Sequence, residues 1–187
     1  MRKGLFLLVV SWLCCFSQSC TTEPTTEPTE KRAQDILGNP DYLAMAYGGY
    51  RANSREEQPT MAQIREDMLL LHAMGVRIVR TYNTELAHAT TLLEAIRDIK
   101  SEDADFEMYV MLGAWINCDQ AWTAQPNHEA EDEKGNAAEI QRAVEMARAY
   151  PDIVKVIAVG NEALVKWAAG YFVHPGIILK WVNHLQK

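Results

Sequence analysis

The run VIAVGNEALVKW, Val156 to Trp167, drives an apolar segment straight into Gly-Asn-Glu. A carboxylate delivered to the mouth of a buried strand is costly to desolvate, so it must be paired or used. Used, Glu162 is a proton donor. A carboxylic acid that protonates a leaving oxygen needs a raised pKa, supplied by an apolar pocket or by a second carboxylate. Paired, Glu162 is a structural residue held by Arg80 or Arg51, which end other apolar runs in the chain. Spacing alone leaves the two readings open.

The other apolar runs end in residues of similar character: Tyr50-Arg51, Arg80-Thr81-Tyr82-Asn83 and Trp115-Ile116-Asn117. Sugar rings present C–H faces that stack on aromatic planes, so Tyr50, Tyr82, Trp115, Trp122, Trp167 and Tyr171 suit a glycan cleft. Asn161 suits a sugar 2-hydroxyl, a contact that strengthens in an oxocarbenium-like transition state. Plain packing is the alternative for each aromatic taken singly, and the better reading for Trp181, which lies in a helical pattern. Arg80 has a similar alternative, that of orienting a catalytic acid. His72, His88, His128, His174 and His184 show no metal spacing, and HEAEDE, ending at Glu133, reads as a solvated loop or helix entry. No cofactor is implied.

These residues need elements to hold them. At 187 residues, with 48% apolar residues and a formal charge of −7, the chain has the balance of a single globular domain or part of a larger one. The acidity and the lack of a basic stripe give no support for nucleic acid as a partner. Tyr42 to Tyr47 reads as a first strand. Met61, Ile64, Met68 and Leu71 recur at spacings of three and four, so Pro59 to Met74 reads as a helix, stopped at Gly75. Val76 to Val79 is a second strand and Glu85 to Lys100 a second helix. Phe106 to Ile116 is a third strand, Asn136 to Ala149 a third helix. Val154 to Val159 is a fourth strand, and Pro175 to Leu185 a fourth helix. Strand and helix alternate four times, which argues for parallel strands with crossover helices. An open doubly wound sheet would place a phosphate loop after its first strand, and YGGYRANSREEQP carries no such motif. A parallel (β/α)8 TIM barrel uses the C-terminal ends of all its strands for chemistry. The barrel is the favoured fold, and four units are about half of it.

The N-terminus reads as an address. Arg2 and Lys3 precede the apolar run Gly4 to Phe16, which is short for a bilayer span. Ser17-Gln18-Ser19-Cys20 resembles a relaxed bacterial lipoprotein cleavage site, with an ordinary secretory signal cleaved nearby as the alternative. The expected division is a signal peptide over 1–19, a Thr/Glu/Pro-rich tether over 20–35 after lipidated Cys20, and the barrel segment over 36–187. This implies a cell-envelope protein, lipid-anchored to a bacterial outer membrane or cell surface. Cys14 and Cys15 leave with the signal, so Cys118 has no disulfide partner.

VIAVGNEAL resembles the fourth-strand motif of glycoside hydrolase family 17, the β-1,3-glucanase-like family. The resemblance runs over residues 42–187: YLAMAYGGYR is similar to the family's first strand, GVRIVRTYN to its second and MYVMLGAWI to its third. It implies a retaining glycosidase acting on β-glucan, with Glu162 as general acid/base. It further implies that Asn161 contacts substrate and that Tyr82 lines the site beside the scissile bond. Arg80, Tyr50, Trp115 and Asn117 are the other expected substrate-binding residues. The family's nucleophile is a second Glu at the end of strand seven, for which nothing here can be assigned. A β-glucan transglycosylase and a non-catalytic glycan-binding surface lipoprotein are the rival readings.

Overall fold

The computed structural model describes residues 30–187. The expected signal peptide, Cys20 and nearly all of the tether lie outside the described residues. A one-turn helix α1 (Ala33–Ile36) leads into strand β1 (Leu43–Ala46). There follow α2 (Met61–Ala73), β2 (Val76–Arg80), α3 (Ala87–Glu102) and β3 (Tyr109–Ala114). A hairpin of β4 (Cys118–Asp119) and β5 (Asn127–Glu131) comes next, then α4 (Glu133–Ala149), β6 (Val154–Val159) and α5 (Pro175–Leu185).

Local chemistry sets most of these boundaries. Thr60 caps α2 with a reciprocal pair: its Oγ1 accepts from Gln63 N–H at 3.3 Å, while its own N–H donates to Gln63 Oε1 at 2.9 Å. Gly75, at φ 88°, ends that helix in the left-handed region that a residue without Cβ adopts freely. Asp132 caps α4 by accepting from Gly135 N–H, and Pro175 opens α5, where a missing N–H does no harm.

β1, β2, β3 and β6 form one parallel sheet in that order. Each strand is added beside the one before it. A doubly wound sheet reverses direction and carries helices on both faces. Here Val79, Val110, Leu112 and Ala114 pack with Ile64, Met68, Leu92, Leu93, Ile96 and Ile140 of the helices in one core. The opposite face holds a smaller cluster in which Ile36, 1% exposed, packs with Ile78 and Tyr109. Register confirms the split: Ile78 pairs with Tyr109, Arg80 with Met111, and Met111 with Val156, so these residues share a face. The result is an α/β fold with four parallel strands and their helices in the arrangement of a partial barrel.

Four sequence expectations change. The third expected helix starts at Glu133 rather than Asn136, because Asp132 caps it by accepting from Gly135 N–H. The third strand is shorter than Phe106 to Ile116, because Phe106 instead packs against the His72 ring at 4.6 Å. Helix α3 starts two residues later than Glu85, since Asn83 Oδ1 accepts from Leu86 N–H at 3.0 Å and holds the chain in a turn. The acidic stretch is not a solvated loop: Asn127–Glu131 is strand β5, and only the residues after it enter a helix.

Gly113 permits a close approach within the sheet. A Cβ there would run into the backbone of Thr81 and Tyr82, and Gly113 N–H donates to Thr81 Oγ1 at 3.0 Å. Strand β3 can therefore lie tightly against the residues that leave β2 for the rim.

Candidate active site

The C-terminal ends of the four parallel strands lie together, and β2 and β6 meet there through side chains. Arg80 Nη2 donates to Asn161 Oδ1 at 2.7 Å. Asn161 is 7% exposed, so this bond satisfies an otherwise buried acceptor. Glu162 follows with an exposed side chain and, among the described residues, neither an ion pair nor a side-chain hydrogen bond. Arg80 is engaged by Asn161. Arg51 instead forks onto Asp67, with Nη2 to Oδ1 at 2.6 Å and Nη1 to Oδ2 at 2.9 Å. Neither arginine expected to pair with Glu162 does so.

The backbone at this point is unusual. Gly160 sits at φ 80° and Glu162 at φ 52°. A non-glycine residue in the left-handed region stores about 1–3 kcal/mol of strain, and such residues cluster at functional sites. The strain is offset by a run of turns. Val165 N–H donates to the carbonyl of Glu162 at 3.1 Å, and Val173 N–H to that of Ala163 at 2.8 Å. The turn thus separates a buried Asn from an exposed Glu in adjacent positions.

At the end of β1 the rings of Tyr50 and Tyr82 both close on Gly48. Tyr50 Oη hydrogen-bonds His88 Nδ1 at 3.1 Å, and His88 Nε2 is buried without a partner. Burial holds the His88 imidazole below its ordinary pKa, with Arg55 adding to the effect. Tyr47 donates to Asp67 Oδ2 at 2.8 Å, so one α2 carboxylate anchors both Tyr47 and Arg51.

Trp115 and Asn117 gather elsewhere on the rim. Trp115 Nε1–H donates to Asn117 Oδ1 at 2.8 Å. The Trp115 ring lies 6.1 Å from Trp122 and 5.4 Å from Tyr171, and those two rings are 5.2 Å apart. Trp122 is 62% exposed. The cavity of about 230 Å³ beside this cluster does not include Glu162 in its lining. Trp167, at 90% exposed, joins none of these rings, whereas Trp181 is buried as its helical pattern implied.

Two α4 residues that sequence reasoning passed over hold this part of the rim. Glu139 is buried, and its Oε1 accepts from Thr84 N–H at 2.7 Å and Trp115 N–H at 3.0 Å. Its Oε2 accepts from Arg142 at 2.6 Å. Asn136 uses its side-chain amide as a strand would use its backbone: Oδ1 accepts from Asn117 N–H at 2.8 Å and Nδ2 donates to Asn117 O at 2.9 Å. A signal was present. Asn136, Glu139, Ile140 and Ala143 form one buried stripe, so two polar residues interrupt an apolar helical face.

The hairpin also fastens the loop after β6. His128 Nδ1 bonds the carbonyl of Phe172 at 2.8 Å, and His174 N–H donates to the carbonyl of His128 at 3.1 Å. Glu131 accepts from Trp181 Nε1–H at 2.7 Å and pairs with Lys180. Burial alone would push its carboxyl up, but hydrogen bonds from Lys180, Trp181 and Asn136 hold it below the usual carboxylate range.

Fold and rim together define an α/β protein of parallel strand–helix units, with an unpaired carboxylate and an aromatic pocket at the strand ends. No family model and no curated protein matches the chain. Among solved structures it is similar to an endo-laminarinase from Formosa Hel1_33_131, with a TM-score of 0.80 and 64% sequence identity. The match covers 83% of this chain and 40% of that one.

Proposed function

We propose that this chain is part of an endo-acting β-1,3-glucan hydrolase of glycoside hydrolase family 17, built on a (β/α)8 barrel and retaining in stereochemistry. The likeness to an endo-laminarinase at 64% identity carries the reading. In it Glu162 protonates the leaving glycosidic oxygen and later deprotonates the attacking water. Arg80 holds the Asn161 amide oxygen, so the Asn161 NH2 group is oriented to donate to the sugar 2-hydroxyl, a contact that tightens as the oxocarbenium ion develops. Tyr82 lines the position beside the scissile bond.

Retention needs a second carboxylate about 5 Å from the first. In this reading it comes from the seventh strand of the barrel, outside the four parallel strands described here. Two features support closure by further strand–helix units. β1 and β6 are edge strands among the described residues. Leu43 and Met45 are exposed at one edge, and at the other a groove is lined by Val154, Val156, Ile157, Val159 and Val182.

The test is digestion of laminarin by a complete barrel carrying this segment, with products sized by chromatography and their anomers read by proton NMR. Internal cleavage to short β-configured products is expected. Products of inverted configuration would remove the retaining mechanism, and products longer than the substrate would favour transglycosylation.

The N-terminal motif supports a lipid on Cys20, the Thr/Glu/Pro repeat holding the domain off the membrane. Stable anchoring takes more than one acyl chain, as a lipoprotein Cys carries. Cys20→Ser should move the protein from the membrane fraction to the soluble fraction of the native host. An unchanged distribution would remove the anchor.

A further inference from the structure

We propose that His128, on the hairpin strand β5, is a positioning residue for Glu162, acting through the last residues of the loop that follows β6. The inference rests on the reading of Glu162 as general acid/base and adds what holds it in place. Glu162 has to be held from outside. Its backbone lies in the left-handed region at φ 52°, and its side chain has neither an ion pair nor a hydrogen bond among the described residues. The turn therefore depends on the main chain on either side of it. Before it, Gly160 N–H donates to the carbonyl of Ala114 at 2.8 Å, which fixes the entry to the turn on β3. After it, Val173 N–H donates to the carbonyl of Ala163 at 2.8 Å, closing the loop on the residue next to Glu162. Ala163 and Val173 are both buried, so neither group can exchange its partner for water.

Val173 is in turn carried by the hairpin, because the residues on both sides of it bond to His128. His128 Nδ1 lies 2.8 Å from the carbonyl of Phe172, and His174 N–H donates to the carbonyl of His128 at 3.1 Å. A carbonyl oxygen only accepts, so Nδ1 carries the proton. Cys118 Sγ, 3.5 Å from the same Nδ1, is then a second and weaker acceptor of that N–H. The His128 and Phe172 rings also pack in a T at 5.2 Å. At its other end β5 is fastened to α5, where Glu131 accepts from Trp181 Nε1–H and pairs with Lys180. A continuous set of contacts thus runs from α5 through β5 to Val173, Ala163 and Glu162. Contact alone does not prove coupling, and a double-mutant cycle measures it.

The test uses a complete barrel that carries this segment, with kcat/KM read on a β-1,3-glucan and on an aryl β-glucoside with an activated leaving group. His128→Phe keeps a ring against Phe172 and removes the N–H. His128→Asn puts an amide NH2 where the Nδ1–H stood. His128→Phe should lower kcat/KM on the glucan by about 10–10²-fold, the scale for a small displacement of a reacting group. The loss on the aryl substrate should be much smaller, since its leaving group departs without an acid. His128→Asn should recover most of the activity on the glucan. Both rates come from one preparation, so a variant that only folds less well loses equally on the two and leaves their ratio unchanged. In a Glu162→Gln background His128→Phe should cost the glucan little more, because the group it positions is gone. An unchanged ratio, no recovery with Asn, or an equal further loss in the Glu162→Gln background overturns the positioning role. When Glu162→Gln by itself shifts the ratio as loss of an acid does, that failure belongs to His128 alone. Small, equal losses from Glu162→Gln on both substrates bring down the acid/base reading and this proposal with it.

Discussion

Replacing Glu162 by Gln in a complete barrel that carries this segment is expected to lower kcat/KM on a natural β-1,3-glucan by about 10²–10⁴-fold, the usual worth of a general acid. Gln keeps the shape and removes the proton. The side chain is exposed and makes neither a hydrogen bond nor an ion pair among the described residues, so the fold has little to lose. The substituted residue inherits the same left-handed backbone. An aryl β-glucoside with an activated leaving group departs without help from an acid, so its loss should be much smaller in the cleavage step. The comparison of the two substrates is the measurement. Small, equal losses on both would make Glu162 a structural residue. In that case the strained turn after β6 would need another explanation.

Removing the Glu139 carboxylate should be the most damaging single change to the scaffold of the site. It sits between α4, the end of β3 and the residues after β2, and it serves two backbone donors and one guanidinium. Glu139→Ala would leave Thr84 N–H and Trp115 N–H without acceptors in a buried place and deprive Arg142 of its partner. Each orphaned donor costs about 1–3 kcal/mol. Arg142, 37% exposed, can turn to water, so the two orphaned donors set the cost at about 2–6 kcal/mol in all. Glu139→Gln keeps an acceptor oxygen but turns an NH2 group or an uncharged oxygen toward Arg142, so its loss should be about 1–3 kcal/mol. Urea unfolding followed by circular dichroism gives both values from the shift in midpoint at constant slope. If Glu139→Ala moved the midpoint no more than a surface substitution, the carboxylate would not be holding the rim. The expected dependence of Trp115 on it would then fall as well.

Much of the architecture is written in local pattern. The stripe Ile64, Met68, Leu71 needs only a 3.6-residue repeat to be recognised, and all three are buried. The strand Val154–Val159 and the helix Pro175–Leu185 run where β-branched residues and an N-terminal proline place them. Glu162 stood out for a similar reason: a carboxylate ending an apolar run breaks a local rule, and such breaks mark functional or strained positions. The hairpin was not legible, because Asn127–Glu131 is made of residues poor in strand propensity. It exists through pairing with Cys118 and Asp119 and through the partners of Glu131.

The choice of partners was decided by tertiary structure alone. Arg80 and Asn161 are 81 residues apart, and only the parallel register of β2, β3 and β6 makes them neighbours. Nothing in the sequence says that Arg80 takes Asn161 and leaves Glu162 free, or that Arg51 turns to Asp67. The left-handed backbone of Glu162 is likewise imposed from outside, since its own propensity disfavours it and the turns after it hold it there. Glu139 shows the same division. Its place on a buried helical stripe follows from periodicity, but its role depends on which backbone donors the fold brings to it. Local sequence sets propensity and hydrophobic period, which act over a few residues. Hydrogen-bond partners for buried polar groups are assigned only when distant segments meet and each donor and acceptor must be satisfied.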